Sequence, residues 1–247
     1  MTTHTDVVLK TKKYIIMNFG DRLSLKMADD ETTSLTEMSL SSPDDLSVQY
    51  TRTMLHPLAF IPAPTEIILI GLGGGQQAKF IHRHLPELQT IAVEIDPEVV
   101  GLARTCFGLP ADDERLRVVV EDASTFIPNH GGRCDLILAD AFDECNRPID
   151  ALHTAEFYRA CHRILRADGV MTVNVYRPTA NWAATFMSTV AGIFPRRKFI
   201  ALTAEQGVMV LWKGRPNLNW DAIRARAATL DARTGLGFEA FVDTLSR

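Results

Sequence analysis

Apolar residues run without a polar break at Ile67-Ile68-Leu69-Ile70 and Leu136-Ile137-Leu138, and nearly so at Ile91-Ala92-Val93, Val118-Val119-Val120 and Val170 to Tyr176. Short apolar runs of this kind predict strands covered on both faces, as in a parallel sheet. Between them the apolar positions return at helical spacing over Gln76 to His84, Pro97 to Phe107, Thr154 to Leu165 and Ala180 to Phe194, with a stripe at Phe157, Cys161, Ile164 and Leu165 in the third. Ala167-Asp168-Gly169 reads as the stop of that third helix, Lys198 to Ala201 with Val208 to Trp212 as a closing antiparallel pair, and Asn219 to Ala228 as a surface helix. The sum is a mostly parallel seven-stranded α/β sheet. Upstream the pattern differs. Val7 to Leu9, Tyr14 to Asn18, Leu23 to Met27 and Ser34 to Met38 are short, partly alternating runs, and Asn18-Phe19-Gly20-Asp21 is a turn signal. They predict a small antiparallel β subdomain over residues 1–49, ahead of a nucleoside-binding α/β domain over 50–247. Ser42-Pro43-Asp44-Asp45 predicts a helix start with an acidic first turn, continued over Tyr50 to Phe60 and stopped by Pro62 and Pro64.

Chemistry gathers where the strands end. After Ile70 come Gly71-Leu72-Gly73-Gly74-Gly75, a turn whose glycines let the backbone reverse and approach a ligand with no Cβ in the way. The next strand ends in Val93-Glu94-Ile95-Asp96, where Glu94 can accept both hydroxyl protons of a ribose. The glycines break the strict dinucleotide pattern, which would need glycine at Gln76. Two further strands end in Glu121-Asp122-Ala123 and Asp140-Ala141-Phe142-Asp143, so three successive strands deliver an acid to one carboxyl edge, the edge at which open α/β sheets bind ligands. An adenosine-type ligand is the expectation.

Composition narrows the partners. The 247 residues suit one α/β domain with a small appendage, and a net charge of −4 without a basic block argues against nucleic acid. Cys106, Cys134, Cys145 and Cys161 show no zinc-site spacing, so reduced thiols in a cytoplasmic protein are expected and no metal is. No apolar run approaches the roughly 20 residues that cross a bilayer, and Met1 to Asp6 has no signal-peptide core. His82 and His84, two apart on one helix, face different directions and make a poor metal pair. His56 is expected to pack in the interior, Trp182, Trp212 and Trp220 to pack against neighbours, and Phe142 to cover the part of a ligand beyond its ribose.

Taken in order, Gly71 to Gly75, Val93 to Asp96, Glu121 to Ala123, Asp135 to Asp143 and Glu156-Phe157-Tyr158 resemble the spermidine synthase-like proteins, the polyamine aminopropyltransferases. The resemblance covers roughly residues 10 to 212. It implies a class I methyltransferase-like Rossmann fold with an N-terminal β subdomain, a homodimer or homotetramer, and transfer of an aminopropyl group from decarboxylated S-adenosylmethionine to an amine, with no tightly bound cofactor. It implies that Gly71, Gly73, Gly74, Gly75 and Glu94 hold the donor, Glu94 at the ribose, and that Asp122 with the backbone of Ala123 recognises the adenine amino group. Asp140 matches the catalytic aspartate, Asp143 the second acid of the D-x-x-D motif that binds the acceptor, and Tyr50 an acceptor-side tyrosine.

The chain also departs from that family. Gly74 stands where the family has an aspartate that binds the donor amine; Tyr50-Thr51 replaces a Tyr-Gln or Tyr-His pair; and Glu144-Cys145-Asn146-Arg147-Pro148 and Leu202 to Gln206 replace the usual gate and tyrosine-proline segments. Arg147 brings positive charge beside the acceptor loop. Two alternatives stay open: a methyltransferase using intact S-adenosylmethionine, for which Gly74 leaves backbone N–H groups and space for the donor carboxylate, and a non-catalytic nucleoside-binding homologue.

Overall fold

A computed structural model describes residues 5–30, 34–145, 147–215 and 218–246. Strands β1 (Thr5–Lys10), β2 (Tyr14–Phe19), β3 (Arg22–Met27) and β4 (Ser34–Ser39) form an antiparallel sheet in that order. Residues 1–4 and 31–33 of the expected N-terminal subdomain lie outside the described residues. Helix α1 (Gln49–Leu55) and a 3₁₀ turn at His56–Phe60 lead into β5 (Glu66–Ile70), α2 (Gln76–His84), β6 (Gln89–Glu94), α3 (Pro97–Cys106), β7 (Leu116–Val120), α4 (Ala123–Asn129) and β8 (Cys134–Ala139). After a second 3₁₀ turn at Asp150–His153 come α5 (Ala155–Ile164), β9 (Leu165–Tyr176), α6 (Ala180–Ala191), β10 (Arg196–Ala201), β11 (Gln206–Trp212), α7 (Trp220–Thr234) and α8 (Phe238–Leu245).

The larger sheet has seven strands in the order β10-β11-β9-β8-β5-β6-β7. Its five strands from β9 to β7 are mutually parallel, and β11 is antiparallel to both neighbours. The unbroken apolar run of β5 serves both faces: Ile67 and Leu69 join a core with α1, α2, α7 and α8, whereas Ile68 and Ile70 join a core with α4, α5 and α6. The small sheet is apolar on the side that meets α3, where Tyr14, Ile16, Leu25 and Met38 pack with Val99, Leu102 and Phe107.

Several sequence expectations shift. The segment from Ser42 does not begin a helix. Asp21 accepts hydrogen bonds from the Ser39 hydroxyl and from the amide and hydroxyl of Ser41, and the Ser42 amide donates to Ser39, so these residues close a turn and α1 starts only at Gln49. Pro57, which has no N–H, converts the continuation into a 3₁₀ turn. Ala167 to Gly169 is not a helix stop but an irregularity inside β9: Leu165 pairs with Cys134, yet Val170 pairs with Leu136. The surface helix α7 runs on to Thr234, and α4 and α8 are additions to the expected elements. Both lack length, and their starts are set by side chains, Asp122 accepting from the Ser124 amide and Asp231 from the amides of Gly237, Phe238 and Glu239.

Two glycines test how the fold uses a missing Cβ. Gly71 has φ +88°, and a Cβ there would sit 2.3 Å from the carbonyl oxygen of Asp140. Gly71→Ala is expected to destabilise the protein by about 2–5 kcal/mol, from left-handed strain plus overpacking. Gly101, inside α3 with open space around it, is expected to tolerate alanine with a gain of about 0.5–1 kcal/mol. Urea unfolding of the two variants checks both signs.

Candidate functional site

A cleft of about 1140 Å³ opens at the carboxyl edge of the parallel strands and is roofed by the small sheet. Tyr14 and Lys13 reach from β2 and the turn before it to Asp96, at 3.0 and 2.9 Å. Asp96 also caps α3, accepting from the Glu98 amide at 2.8 Å, so one carboxylate ties the roof to the floor.

Glu94, Asp122, Ala123, Asp140, Asp143, Tyr50, Gly71 and Gly73 all border this cleft. Glu94 is oriented by two backbone donors, the Leu72 amide at 2.9 Å on one oxygen and the Asp96 amide at 3.0 Å on the other. Each oxygen keeps a further lone pair, which is what recognition of a vicinal diol requires. Asp122 gives one oxygen to the Ser124 amide at 2.7 Å, and Ala123 opens α4 beside it. The Asp122 carboxylate and the Ala123 amide thus stand together at the end of β7, an acceptor and a donor suited to the edge of a base.

The glycines divide. Gly71 and Gly73 border the cleft, but Gly74 and Gly75 do not. A Cβ on Gly74 would meet the Thr36 methyl at 2.6 Å and the Phe107 ring at 3.0 Å, and one on Gly75 would meet Leu109 at 2.8 Å. The expectation that Gly74 opens space for a donor carboxylate is therefore corrected: that direction is filled by the roof strand β4 and by Phe107. Gly74 and Gly75 shape the turn, with the Gly75 amide donating to the Leu72 carbonyl at 2.8 Å.

Asp140 is partly buried at the end of β8. Its Oδ1 accepts from the Asn174 amide at 2.8 Å, and the Tyr50 hydroxyl donates to the same carboxylate. Gln206 in turn donates to the Asn174 side-chain oxygen at 3.3 Å. Burial raises the carboxyl above its ordinary range, and the bonds from Asn174 and Tyr50 hold it back. Burial also pushes the Tyr50 hydroxyl up, helped by the negative charge of Asp140, so Tyr50 stays a donor. Asn174 is a site residue missed by sequence reasoning. The signal was there, an amide within the mostly apolar run Val170 to Tyr176. Gln206 carried no such signal, because only the antiparallel pairing of β11 with β9 brings it in.

Asp143 is differently placed. One oxygen accepts the amides of Cys145 and Arg147 at 2.9 and 2.8 Å, and the other accepts Nε and Nη2 of Arg147 at 2.9 and 2.8 Å. Burial would raise this acid, but the bonds from Arg147 and Cys145 outweigh it and hold the carboxyl low. Asp143 borders the cleft with its charge already matched, so any further cation at these oxygens must displace or share Arg147. Asn146, between these partners, lies outside the described residues. Phe142 stands edge-on to Tyr176 with centroids 6.4 Å apart. His56 is buried between Phe238 and Phe241 and bonded to the Leu236 carbonyl, away from the cleft. His82 pairs with Asp113 at 2.8 Å, and His84 lies against Phe80.

Residues 47–191 match the family model described as the spermine/spermidine synthase domain. The polyamine aminopropyltransferase of Chromobacterium violaceum is 34% identical over 92% of this chain and 87% of its own length. The crystal structure of a probable spermidine synthase from Corynebacterium glutamicum superposes with a TM-score of 0.72 at 19% identity, over 89% of this chain and 85% of that one. That of human methyltransferase-like protein 13 in complex with SAH gives 0.67 at 22% identity, over 74% and 92%. Both of these structures share the fold.

The Asp140 environment makes a titration prediction. Tyr50→Phe and Asn174→Leu each remove a hydrogen bond that favours the ionised carboxylate, so each is expected to move the Asp140 titration to higher pH. Carbon-13 NMR of the aspartate carboxyls, with Asp140→Asn to assign the signal, reads the shift; movement to lower pH would contradict the assignment of these bonds.

Proposed function

Because the chain belongs to the spermine/spermidine synthase family, we propose that the cleft transfers an aminopropyl group from decarboxylated S-adenosylmethionine to an amine. The observation that carries this reading is the Asp140 carboxylate, partly buried at the cleft, raised above its usual range and held by Tyr50 and Asn174 beside the glycine turn. In the reaction the amine lone pair attacks the carbon next to the sulfonium. A C–N bond forms, the C–S bond breaks with its pair going to sulfur, and the leaving group is the neutral thioether methylthioadenosine.

Asp140 serves as the base. The attacking nitrogen becomes cationic as the C–N bond forms, and Asp140 takes the proton it sheds. A raised carboxyl is closer in proton affinity to that nitrogen than an ordinary aspartate, and general-base catalysis of this kind contributes about 10²–10⁴-fold. Tyr50 and Asn174 fix the carboxylate so that its free lone pair points at the nucleophile, which contributes by orientation. Glu94 takes the ribose hydroxyls, and Asp122 with the Ala123 amide takes the adenine edge. Gly71 and Gly73 let the backbone lie against the donor. Asp143 receives the remote ammonium of a diamine in place of the Arg147 guanidinium, an exchange of one cation for another at the same oxygens.

The same reading carries a small-molecule amine as acceptor, no nucleic-acid partner, assembly as a homodimer or homotetramer, and a cytoplasmic location. No helix among the described residues is long and apolar enough to cross a membrane.

Asp140→Asn is expected to lower kcat by about 10²–10⁴-fold while donor affinity stays within about twofold, since the amide preserves size and one acceptor. Glu94→Gln is expected to weaken donor binding by about tenfold, the loss of one charge-assisted pair, with a smaller effect on kcat. Calorimetry and a methylthioadenosine-release assay separate the two, and equal losses of binding and turnover in both variants would overturn this division of roles.

A further inference from the structure

Two groups bordering the cleft near Asp140 can hold a second cation, Asp143 by its charge and Tyr176 by its ring face, and each already carries a guanidinium of this chain. Arg147 places Nε and Nη2 on one oxygen of Asp143, at 2.9 and 2.8 Å. Arg177 lies over the Tyr176 ring, 5.2 Å from its centroid, and is anchored to Glu205 at 2.8 Å. Its backbone has φ +43°, the one positive φ on a non-glycine residue among the described residues, so the chain holds Arg177 there against its own preference. Phe142, edge-on to Tyr176 and next to Asp143, joins the two sites. Asp140, by contrast, is held by the neutral donors Asn174 and Tyr50.

The loop that carries Arg147 does not need the guanidinium to close. The Asp143 amide donates to the Arg147 carbonyl at 2.9 Å, Phe142 pairs with Pro148, and the second oxygen of Asp143 takes the amides of Cys145 and Arg147. The Arg147 side chain is 71% exposed, so it can swing away without opening a core. What it does at Asp143 is occupy an oxygen. A tethered cation competes there with any free ammonium, at an effective concentration on the order of millimolar.

We propose that Arg147 is an internal competitor that sets acceptor specificity: by standing on Asp143 it cancels most of the advantage that a second ammonium gives a diamine, so that monoamines and diamines of equal length bind comparably. Arg177 acts in the same sense by covering the ring on which a second ammonium could stack. The acceptor class is then the primary alkylamine, for which a second ammonium is tolerated and not required, and selectivity rests on the one nitrogen addressed by Asp140. The inference rests on the reading of Asp143 as the acceptor-side acid of an aminopropyltransferase, and it adds that the exchange of cations at this acid carries a cost that Arg147 imposes.

The test is calorimetric titration of the full chain, loaded with methylthioadenosine, with 1,4-diaminobutane and with butylamine, for the wild type, Arg147→Ala and Arg147→Lys. The wild-type protein is expected to bind the two amines within about tenfold of each other, since an exposed ion pair exchanged for another leaves little net gain. Arg147→Ala is expected to tighten the diamine by about fivefold, the measure of one exposed ion pair, and to leave butylamine within about twofold. Arg147→Lys keeps a tethered cation and is expected to stay near the wild type. Unchanged affinity for methylthioadenosine shows that each variant is folded. In turnover, the gain appears as a lower KM for the diamine with kcat unchanged, a split that mere support of the loop would not produce. Weaker binding of both amines by Arg147→Ala, no change in either, or a wild-type preference for the diamine above about a hundredfold, more than an exposed pair can supply, would each overturn the proposal. Binding of neither amine to any form overturns it together with the acceptor reading of the cleft. Amine binding as expected, with no product formed from either amine, would leave this inference standing and remove aminopropyl transfer.

Discussion

The close approach of two main-chain segments, Gly71 on the turn after β5 and Asp140 at the end of β8, is the constraint on which the site depends. The Asp140 amide donates to the Ile70 carbonyl at 2.8 Å and the Gly71 amide to the Val93 carbonyl at 2.9 Å, so three neighbouring strands are held in register to their last residue. At that distance no side chain fits on residue 71. The missing Cβ keeps Asp140 against the floor of the cleft, where Asn174 and Tyr50 can reach its carboxylate. A looser turn would let water in around that acid and return it toward its ordinary range.

The acids of the carboxyl edge hold the fold and face the cleft together. Asp96 and Asp122 cap α3 and α4, and Glu94 accepts the amides of Leu72 and Asp96. Each is thereby fixed before any ligand arrives, which lowers the ordering cost of binding. The roof depends on similar economy. Lys79, buried within α2, donates to the Phe107 carbonyl at 2.7 Å and contacts the Met38 sulfur at 3.3 Å, tying α2, the end of α3 and the small sheet into one unit. Burial lowers the proton affinity of this lysine, and the negative charge of Asp44 offsets part of that fall. The methyl of Thr36 under Gly74 belongs to the same contact, so the seating of the roof also closes residue 74 off from the cleft.

Much of this was legible from residue order. Strands buried on both faces need continuous apolar runs, and their acids fall at the edge where open α/β sheets bind ligands, so β5 to β9, the glycine turn and Glu94, Asp122 and Asp140 could be placed from local pattern alone. The small antiparallel sheet was visible in its alternation and turn residues. Short elements were not. The start of α4 and α8 depends on one capping carboxylate each, and the expected helix at Ser42 gave way because Asp21, twenty residues before Ser41, captures Ser39 and Ser41 just ahead of it.

What the amino-acid sequence by itself determined was the order of strands and helices and the identity of the acids at their ends, because burial periodicity and turn chemistry act over a few residues. Tertiary structure alone decided how those acids are used. Asn174 reaches Asp140, and Gln206 reaches Asn174, only through the pairing of β8, β9 and β11; Arg147 neutralises Asp143 through the closure of one loop; Thr36 and Phe107 fill the space beside Gly74; and the buried Gln76 amide is left without a partner. Proton affinity, hydrogen-bond satisfaction and free space depend on neighbours distant in the chain, and those neighbours exist only once the sheet and its roof have come together.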